Sequence, residues 1–281
     1  MPEGHTLHRL ASALDEAFAG RPVRASSPQG RFAESAALVD GRELEAAEAY
    51  GKHLFMAFGA GPAQDVVHVH LGLYGRFDVT PLDAAVPEPV GQVRLRLVGP
   101  AAYADLRGAT ACELLTRVER DAVLARLGPD PLRPDADPDR AWDRVRRSRA
   151  PVAGLLMDQT VVAGIGNVYR AELLYRHRVD PFRPGRSLRA RQWRAMWDDL
   201  VELMNDGVRT GRIDTVRPEH LTDAELDAER LDAGPSRGHS YVYRRAGEPC
   251  RVCGTRVRIA ELQGRNLFWC PKCQRRSRSA P

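Results

Sequence analysis

Lysine is nearly missing from this sequence: Lys52 and Lys272 are the only two among 42 basic side chains, and every other is arginine. Also missing is any stretch approaching the roughly 18 consecutive apolar residues of a membrane span. The opening Met1-Pro2-Glu3-Gly4-His5 lacks the basic-then-apolar run of a secretory signal, so a cytoplasmic location is expected. No internal repeat occurs. With 43% hydrophobic and 28% charged residues, 20 Pro and 24 Gly, the composition excludes collagen-like, disordered and coiled-coil classes. A soluble globular protein remains, and 281 residues allow about two domains at roughly 150 residues each.

The formal net charge of +5 is modest, but its placement is uneven. From Gly234 onward eleven Lys and Arg face two acids, Glu248 and Glu261, so this end holds more than the whole net positive charge. Such an end fits a polyanion contact as well as it fits a solvated basic tail.

Of five cysteines, Cys112 stands alone and reads as a buried, inert thiol. The others form two C-x2-C pairs, Cys250/Cys253 and Cys270/Cys273, separated by sixteen residues. In a chain without a secretory signal this spacing points to zinc, because each pair chelates from a tight turn and four thiolates complete a tetrahedron. An all-cysteine site leaves no open position, so the metal is expected to be structural. Arg256-Val-Arg-Ile-Ala and Asn266-Leu-Phe-Trp read as two strands within the spacer, giving a zinc-clipped β-hairpin.

Leu7, Leu10, Leu14 and Phe18 recur at helical spacing and stop at Gly20, predicting an amphipathic helix. The period then changes to two in segments around Leu54–Phe58, Val66–Leu71, Arg76–Val79 and Gln92–Val98, which predicts a β-rich domain of short strands. In the last of these, Val93, Leu95 and Leu97 are expected on a packed face and Arg94 and Arg96 on a wet one. Prolines around Leu127–Pro134 mark a linker. Beyond it Val168–His177 and the Trp193, Trp197, Leu200, Met204 face predict helices. The acidic stretch from Pro218 to Asp232 reads equally as a short helix or an inserted loop.

Removal of Met1, usual before a small second residue, would give Pro2 a free secondary amine. Such an amine is less basic than lysine, so more of it is unprotonated near neutral pH and able to attack an electrophilic carbon. A Met-Pro start also occurs in proteins where it has no catalytic meaning. Glu3 reads either as a general acid for the same centre or as an acid favoured by a helix start. Lys52 carries a compact ammonium, which meets a single phosphate differently from the planar fork used everywhere else in this chain. In Gly164-Ile-Gly-Asn167 the glycines permit a tight turn, Asn167 is a good N-cap, and the helix start presents N–H groups to an anion.

Met-Pro-Glu-Gly at the start, Gly51-Lys-His-Leu-Phe, His70-Leu-Gly-Leu-Tyr-Gly, Gly164-Ile-Gly-Asn-Val-Tyr-Arg and the four-cysteine hairpin closing with Phe268-Trp-Cys-Pro-Lys-Cys-Gln together resemble the formamidopyrimidine-DNA glycosylase/endonuclease VIII family, in the family's order. The variant start Met-Pro-Glu-Gly-His-Thr is most similar to that of actinobacterial endonuclease VIII enzymes. The resemblance implies an α+β, multidomain chain: a catalytic β-sandwich over residues 1–121, a linker at 122–134, a helix-two-turn-helix domain over 135–233 and a zinc finger over 234–281. It implies a monomer acting on damaged double-stranded DNA in base excision repair, with one structural zinc and no redox cofactor or magnesium. Flipping brings the buried glycosidic bond within reach; the Pro2 amine attacks C1′, a Schiff base forms, Glu3 protonates the ring oxygen, and β- and δ-eliminations cut the strand.

By the same resemblance Lys52 grips a phosphate beside the flipped nucleotide, His70 lies near the DNA, Asn167 and Tyr169 contact phosphates, and Arg265 reaches phosphates on both sides of the lesion. The gap left in the duplex is filled by side chains. Endonuclease VIII enzymes use a Gln-Leu-Tyr run in one loop, and purine-directed members use Met, Arg and Phe from two. Leu73 and Tyr74 fit the first pattern, whereas Gly72 departs from it; Arg107 is a candidate substitute, without the accompanying Phe. His5 and Thr6 replace the commoner Pro-Glu. Oxidised pyrimidines are therefore the expected substrates, with a purine-type glycosylase or a catalytically silent zinc-finger DNA-binding protein as the alternatives.

Overall fold

The computed structural model describes residues 2–59, 64–83, 85–230 and 239–275. Met1, the expected 233/234 boundary, Asp232 and the terminal Arg276 and Arg278 lie outside the described residues. The chain divides into two compact units, 1–127 and 128–281.

The first unit opens with α1 (Gly4–Phe18), whose Leu7, Leu10, Leu14 and Phe18 are all buried. Eight antiparallel strands follow: β1 (Arg21–Ser26), β2 (Arg42–Tyr50), β3 (His53–Phe58), β4 (Gln64–His70), β5 (Arg76–Pro81), β6 (Val93–Val98), β7 (Ala102–Arg107) and β8 (Ala111–Thr116). Their order is β5-β7-β6-β1-β2-β3-β4-β8. Arg21 to Val23 of β1 pair with β2, and Arg24 to Ser26 pair with β6. One strand thus serves two layers, and the resulting sandwich encloses a single core with α1. Helices α2 (Ala33–Val39) and α3 (Arg117–Ala125) complete the unit.

One expectation changes here. The second face of β6 is only partly wet: Arg94 is half-buried, whereas Arg96 is buried and donates to both Asp105 carboxylate oxygens at 2.7 Å, while a further N–H reaches the Pro87 carbonyl. A buried guanidinium is tolerable only with its donors satisfied, and these bonds supply the partners. The expected linker at 122–134 contains the boundary between the units, and its second part is packed: Gly128 donates to the Gln159 carbonyl and Pro129 accepts from Ala163, both in the second unit.

The second unit contains α4 (Pro138–Val145), α5 (Val152–Met157), α6 (Asn167–Arg176), α7 (Ala190–Thr210), α8 (Asp223–Arg230) and the hairpin β9 (Arg258–Leu262) and β10 (Arg265–Trp269). The acidic stretch is therefore helical over Asp223–Arg230. Trp193, Trp197, Leu200 and Met204 of α7 bury against α4, α5 and α6. The hairpin turns on Gln263 and Gly264, both at positive φ, as a two-residue loop requires. Among the described residues no helix is long and apolar enough to cross a membrane.

Candidate nucleic-acid site and zinc centre

Within the first unit, Glu3 is the N-cap of α1, fully buried, with its carbonyl accepting from Thr6 and no capping bond from its side chain. Burial removes the reading of Glu3 as a solvated helix-start acid. His5 behind it is also buried, and that burial is the largest cause lowering its pKa to about 4. It is a neutral residue where the commoner family sequence has proline.

Lys52 sits in a two-residue turn between β2 and β3, closed by the Tyr50–His53 pair, with Gly51 at φ 58°. Positive φ at the first turn position is what such hairpins demand. The turn fixes the lysine backbone from both sides, so little loop freedom is left at the ammonium's base.

Beside it stands a histidine cluster that sequence reading recognised only in part. His53 and His70 face each other across β3 and β4, and the His53 Nδ1 lies 2.9 Å from the Nε2 of buried His68. His68 makes a long contact, 3.5 Å, to Glu113 on β8. Burial leads the causes that lower all three imidazoles, reaching about 3 for His53, with His68, His70, Arg126 and Lys52 adding repulsion there. The cluster is thus neutral at neutral pH. The signal was available in the sequence: His53, His68 and His70 share one face once the β3–β4 register is known, but register is not readable from one strand.

The β4–β5 turn carries the wedge candidates. Gly72 has φ 70°, and a Cβ there would sit 1.9 Å from the Thr110 hydroxyl oxygen; at Gly75 it would meet the Leu71 carbonyl oxygen at 2.2 Å. Both positions demand glycine, which explains why no glutamine precedes Leu73. Between them Leu73 is 42% and Tyr74 86% exposed, two large side chains carried outward on the turn that these glycines form. Arg107, the candidate substitute, is engaged elsewhere: its guanidinium donates to Asp105 at 2.8 Å and to the Val90 carbonyl. A wedge role for Arg107 would require exchanging these bonds for contacts to DNA.

In the second unit the turn before α6 is tied by Gln159, whose amide donates to the Met157 and Ile165 carbonyls and whose oxygen accepts from Gly164. Gly166, not Asn167, is the N-cap; Asn167 is the first helical residue. The physical reason is its side chain's other engagement. The Asn167 amide donates to the Asn266 carbonyl on β10 at 2.8 Å, and its oxygen accepts from Arg170, which itself donates to the same carbonyl at 3.1 Å. Tyr169 is fully buried and its hydroxyl donates to the Leu203 carbonyl at 3.3 Å, which ties α6 to α7. Arg265 is exposed at the start of β10, on the rim of a groove that Arg170, Gln263 and Asp158 also line.

Glu172, which sequence reading missed, organises the approach to the hairpin. Its buried carboxylate accepts from the backbone N–H of Tyr241, Val242 and Tyr243 and from the Thr215 hydroxyl. An acid in the middle of an otherwise apolar helix face was the available signal.

The four cysteine sulfurs lie within 4.8 Å of one another, with Cys250–Cys273 at 3.9 Å and Cys253–Cys270 at 3.5 Å. Tetrahedral zinc with Zn–S bonds near 2.3 Å separates its sulfurs by about 3.8 Å, so these four residues fit one zinc ion. Four thiolates fill the coordination sphere, and the ion holds the hairpin base together without offering an open position.

Comparison with known proteins gives a consistent picture. Residues 1–112 match the profile of the formamidopyrimidine-DNA glycosylase N-terminal domain, residues 127–218 that of the formamidopyrimidine-DNA glycosylase H2TH domain, and residues 247–276 that of the zinc finger found in FPG and IleRS. Endonuclease 8 1 of Mycobacterium tuberculosis is 58% identical over 276 residues, covering 98% of this chain and all of the relative. Formamidopyrimidine-DNA glycosylase of Geobacillus kaustophilus is 33% identical over 85% of this chain and 84% of its own. The crystal structure of Lactococcus lactis formamidopyrimidine-DNA glycosylase, non-covalently bound to DNA containing an AP site, superposes with a TM-score of 0.74 at 20% identity, over 98% of this chain and 100% of that one.

Proposed function

This chain belongs to the formamidopyrimidine-DNA glycosylase/endonuclease VIII family, and from that premise we propose that it removes oxidised pyrimidines from duplex DNA through an N-terminal proline Schiff base. It is a DNA glycosylase of base excision repair with the AP lyase activity of its family. The pyrimidine preference is carried by the exposed Leu73–Tyr74 pair on a glycine-clamped turn. Both side chains enter a gap from one loop, the endonuclease VIII pattern. The reading places the enzyme as a monomer in the bacterial cytoplasm.

In this proposal the Pro2 amine attacks C1′ of the flipped nucleotide, the C1′–N bond breaks, and the base leaves with a proton. Glu3 protonates the ring oxygen, and the sugar opens to the iminium. Loss of a C2′ proton expels the 3′ phosphate. A second elimination expels the 5′ phosphate, and water then releases the sugar fragment and restores the amine. Lys52 and His70 hold phosphate at the β-sandwich; Asn167 and Arg265 hold it at the second unit. The neutrality of His53, His68 and His70 supports Lys52 as the local positive charge for that contact.

Base release measured on duplexes bearing thymine glycol, 5-hydroxycytosine or 8-oxoguanine opposite cytosine tests the substrate class. Faster release of the two pyrimidines is expected, and Leu73→Ala should slow excision from duplex more than from single strands, which have no paired gap to hold open. Preferential release of 8-oxoguanine would move the enzyme to the purine-directed class. Borohydride added during turnover should link the protein to DNA through Pro2, and a protein with residues left ahead of Pro2 should bind without trapping. Full activity of that extended protein would exclude the N-terminal amine.

A further inference from the structure

The last turn of helix α6 carries a residue that reaches the metal centre from outside. Tyr175 is buried, its ring stacks on Tyr241 at 4.6 Å between centroids, and its hydroxyl oxygen lies 2.9 Å from the Cys250 sulfur and 3.9 Å from the Cys273 sulfur. Among the described residues the hydroxyl has no other partner. The surrounding cluster of Ala171, Tyr241, Val242, Val257 and Phe268 is apolar and asks only for an aromatic ring. Phenylalanine would fill that space, so the hydroxyl is the part that packing leaves unexplained.

A thiolate that ligates zinc has no proton to give, which fixes the direction of the contact: the phenolic O–H donates and the sulfur accepts. Four thiolates around a divalent ion carry a net charge of about −2, and burying that charge without donors is costly. Arg176, Arg178 and Arg217 line a small cavity with Tyr175 and Cys273, so the same side of the centre also carries guanidinium groups. We propose that Tyr175 is an outer-shell donor of the zinc centre, beside the backbone N–H of Cys273 that reaches Cys270, and a positioning residue that holds the Cys250 thiolate in place and restrains its nucleophilicity.

The donor sits on the same helix whose first turn grips the hairpin through Asn167 and Arg170 at the Asn266 carbonyl. Helix α6 is thereby attached to the zinc finger at both ends: at the hairpin strand by an amide and a guanidinium, at the metal by a phenol. Outer-shell partners of this kind affect metal affinity by roughly 10–100-fold.

The test uses the full zinc-loaded chain and Tyr175→Phe, which keeps the ring. Transfer of zinc to a chromophoric chelator should accelerate roughly tenfold. In the cobalt-substituted protein the thiolate-to-metal charge-transfer band should move to lower energy, because a sulfur without its donor gives up an electron more readily, while the ligand-field bands of a tetrahedral site stay in place. Tyr241→Phe serves as the comparison, since the Tyr241 hydroxyl contacts Arg217 and His220 rather than sulfur; it should leave both readouts unchanged. Replacing Tyr175 by 3-fluorotyrosine, a stronger donor of nearly the same shape, should move both in the opposite direction and covers the case in which Tyr175→Phe fails to fold. Unchanged release and an unmoved band in the Tyr175 variants, or equal effects from Tyr241→Phe, would overturn the assignment and leave Tyr175 as packing.

Discussion

Gly72 shows how a single residue without a side chain decides what its neighbours do. Its φ of 70° and the 1.9 Å approach of a built Cβ to the Thr110 hydroxyl leave no room for any other residue. Replacing it with alanine should cost about 1–2 kcal/mol for the left-handed backbone and a further 1–3 kcal/mol or so for the forced overlap. At roughly 2–4 °C per kcal/mol for a chain of this size, thermal unfolding should fall by several degrees. Gly72→Gln, which would restore the Gln-Leu-Tyr run, should destabilise at least as much rather than add a wedge contact. Adding Thr110→Ala should recover only the overlap share, because the backbone strain remains. An unchanged Tm in Gly72→Gln would show that the turn can adopt another shape and would remove the reason for the exposed Leu73 and Tyr74.

Elements depart from their local signals where tertiary partners outweigh them. Strand β2 reads Arg-Glu-Leu-Glu-Ala-Ala-Glu-Ala-Tyr, a run of helix formers, yet it lies between β1 and β3 with Leu44, Ala47 and Ala49 buried. Paired backbone on both sides and a buried face outweigh a propensity preference of a few tenths of a kcal/mol per residue. Helix α6 departs in a different way, since its buried face contains an acid. Glu172 accepts four hydrogen bonds, three from consecutive backbone N–H groups at 2.7 to 2.8 Å. Glu172→Gln removes the charge and turns one acceptor into a donor aimed at N–H groups, so about 2–4 kcal/mol of stability should be lost, on the scale of charged hydrogen bonds with an unsatisfied partner. Hydrogen exchange gives the local readout: the amides of Tyr241, Val242 and Tyr243 should lose protection before those of α7. Retained protection would mean that other contacts hold that segment.

For the molecule as a whole, the buried imidazoles of the first unit link folding to pH. In the folded chain His5 titrates near 4 and His53 near 3, below the ordinary 6.5, with burial the first cause in both. The neutral form is therefore favoured by folding, and protonation favours unfolding. That contribution is fully present above about pH 6.5 and is lost as the pH falls towards 4 and then 3. For His5 alone the loss by pH 5 amounts to roughly 2 kcal/mol. The Tm should accordingly fall between pH 7 and pH 5, and His5→Gln should shrink that fall. An equal fall in both proteins would place the acid sensitivity elsewhere.

The sequence alone determined whatever depends on residue type and short spacing. Two C-x2-C pairs specify a zinc centre because chelation is a local property of each turn, and Leu7 to Phe18 specify a helix because one apolar stripe at period 3.6 needs no distant partner. The five separated motifs carried the family for the same reason. Tertiary structure decided what depends on register and on competition between partners. The β3–β4 pairing gathers His53, His68 and His70; Asp105 on β7 accepts from Arg107; the Asn266 carbonyl draws Asn167 out of its capping position. The Tyr175 hydroxyl meets Cys250 across 75 positions of chain. No pattern along the sequence encodes these, because each is a hydrogen bond or packing contact whose second partner is brought near only by the fold.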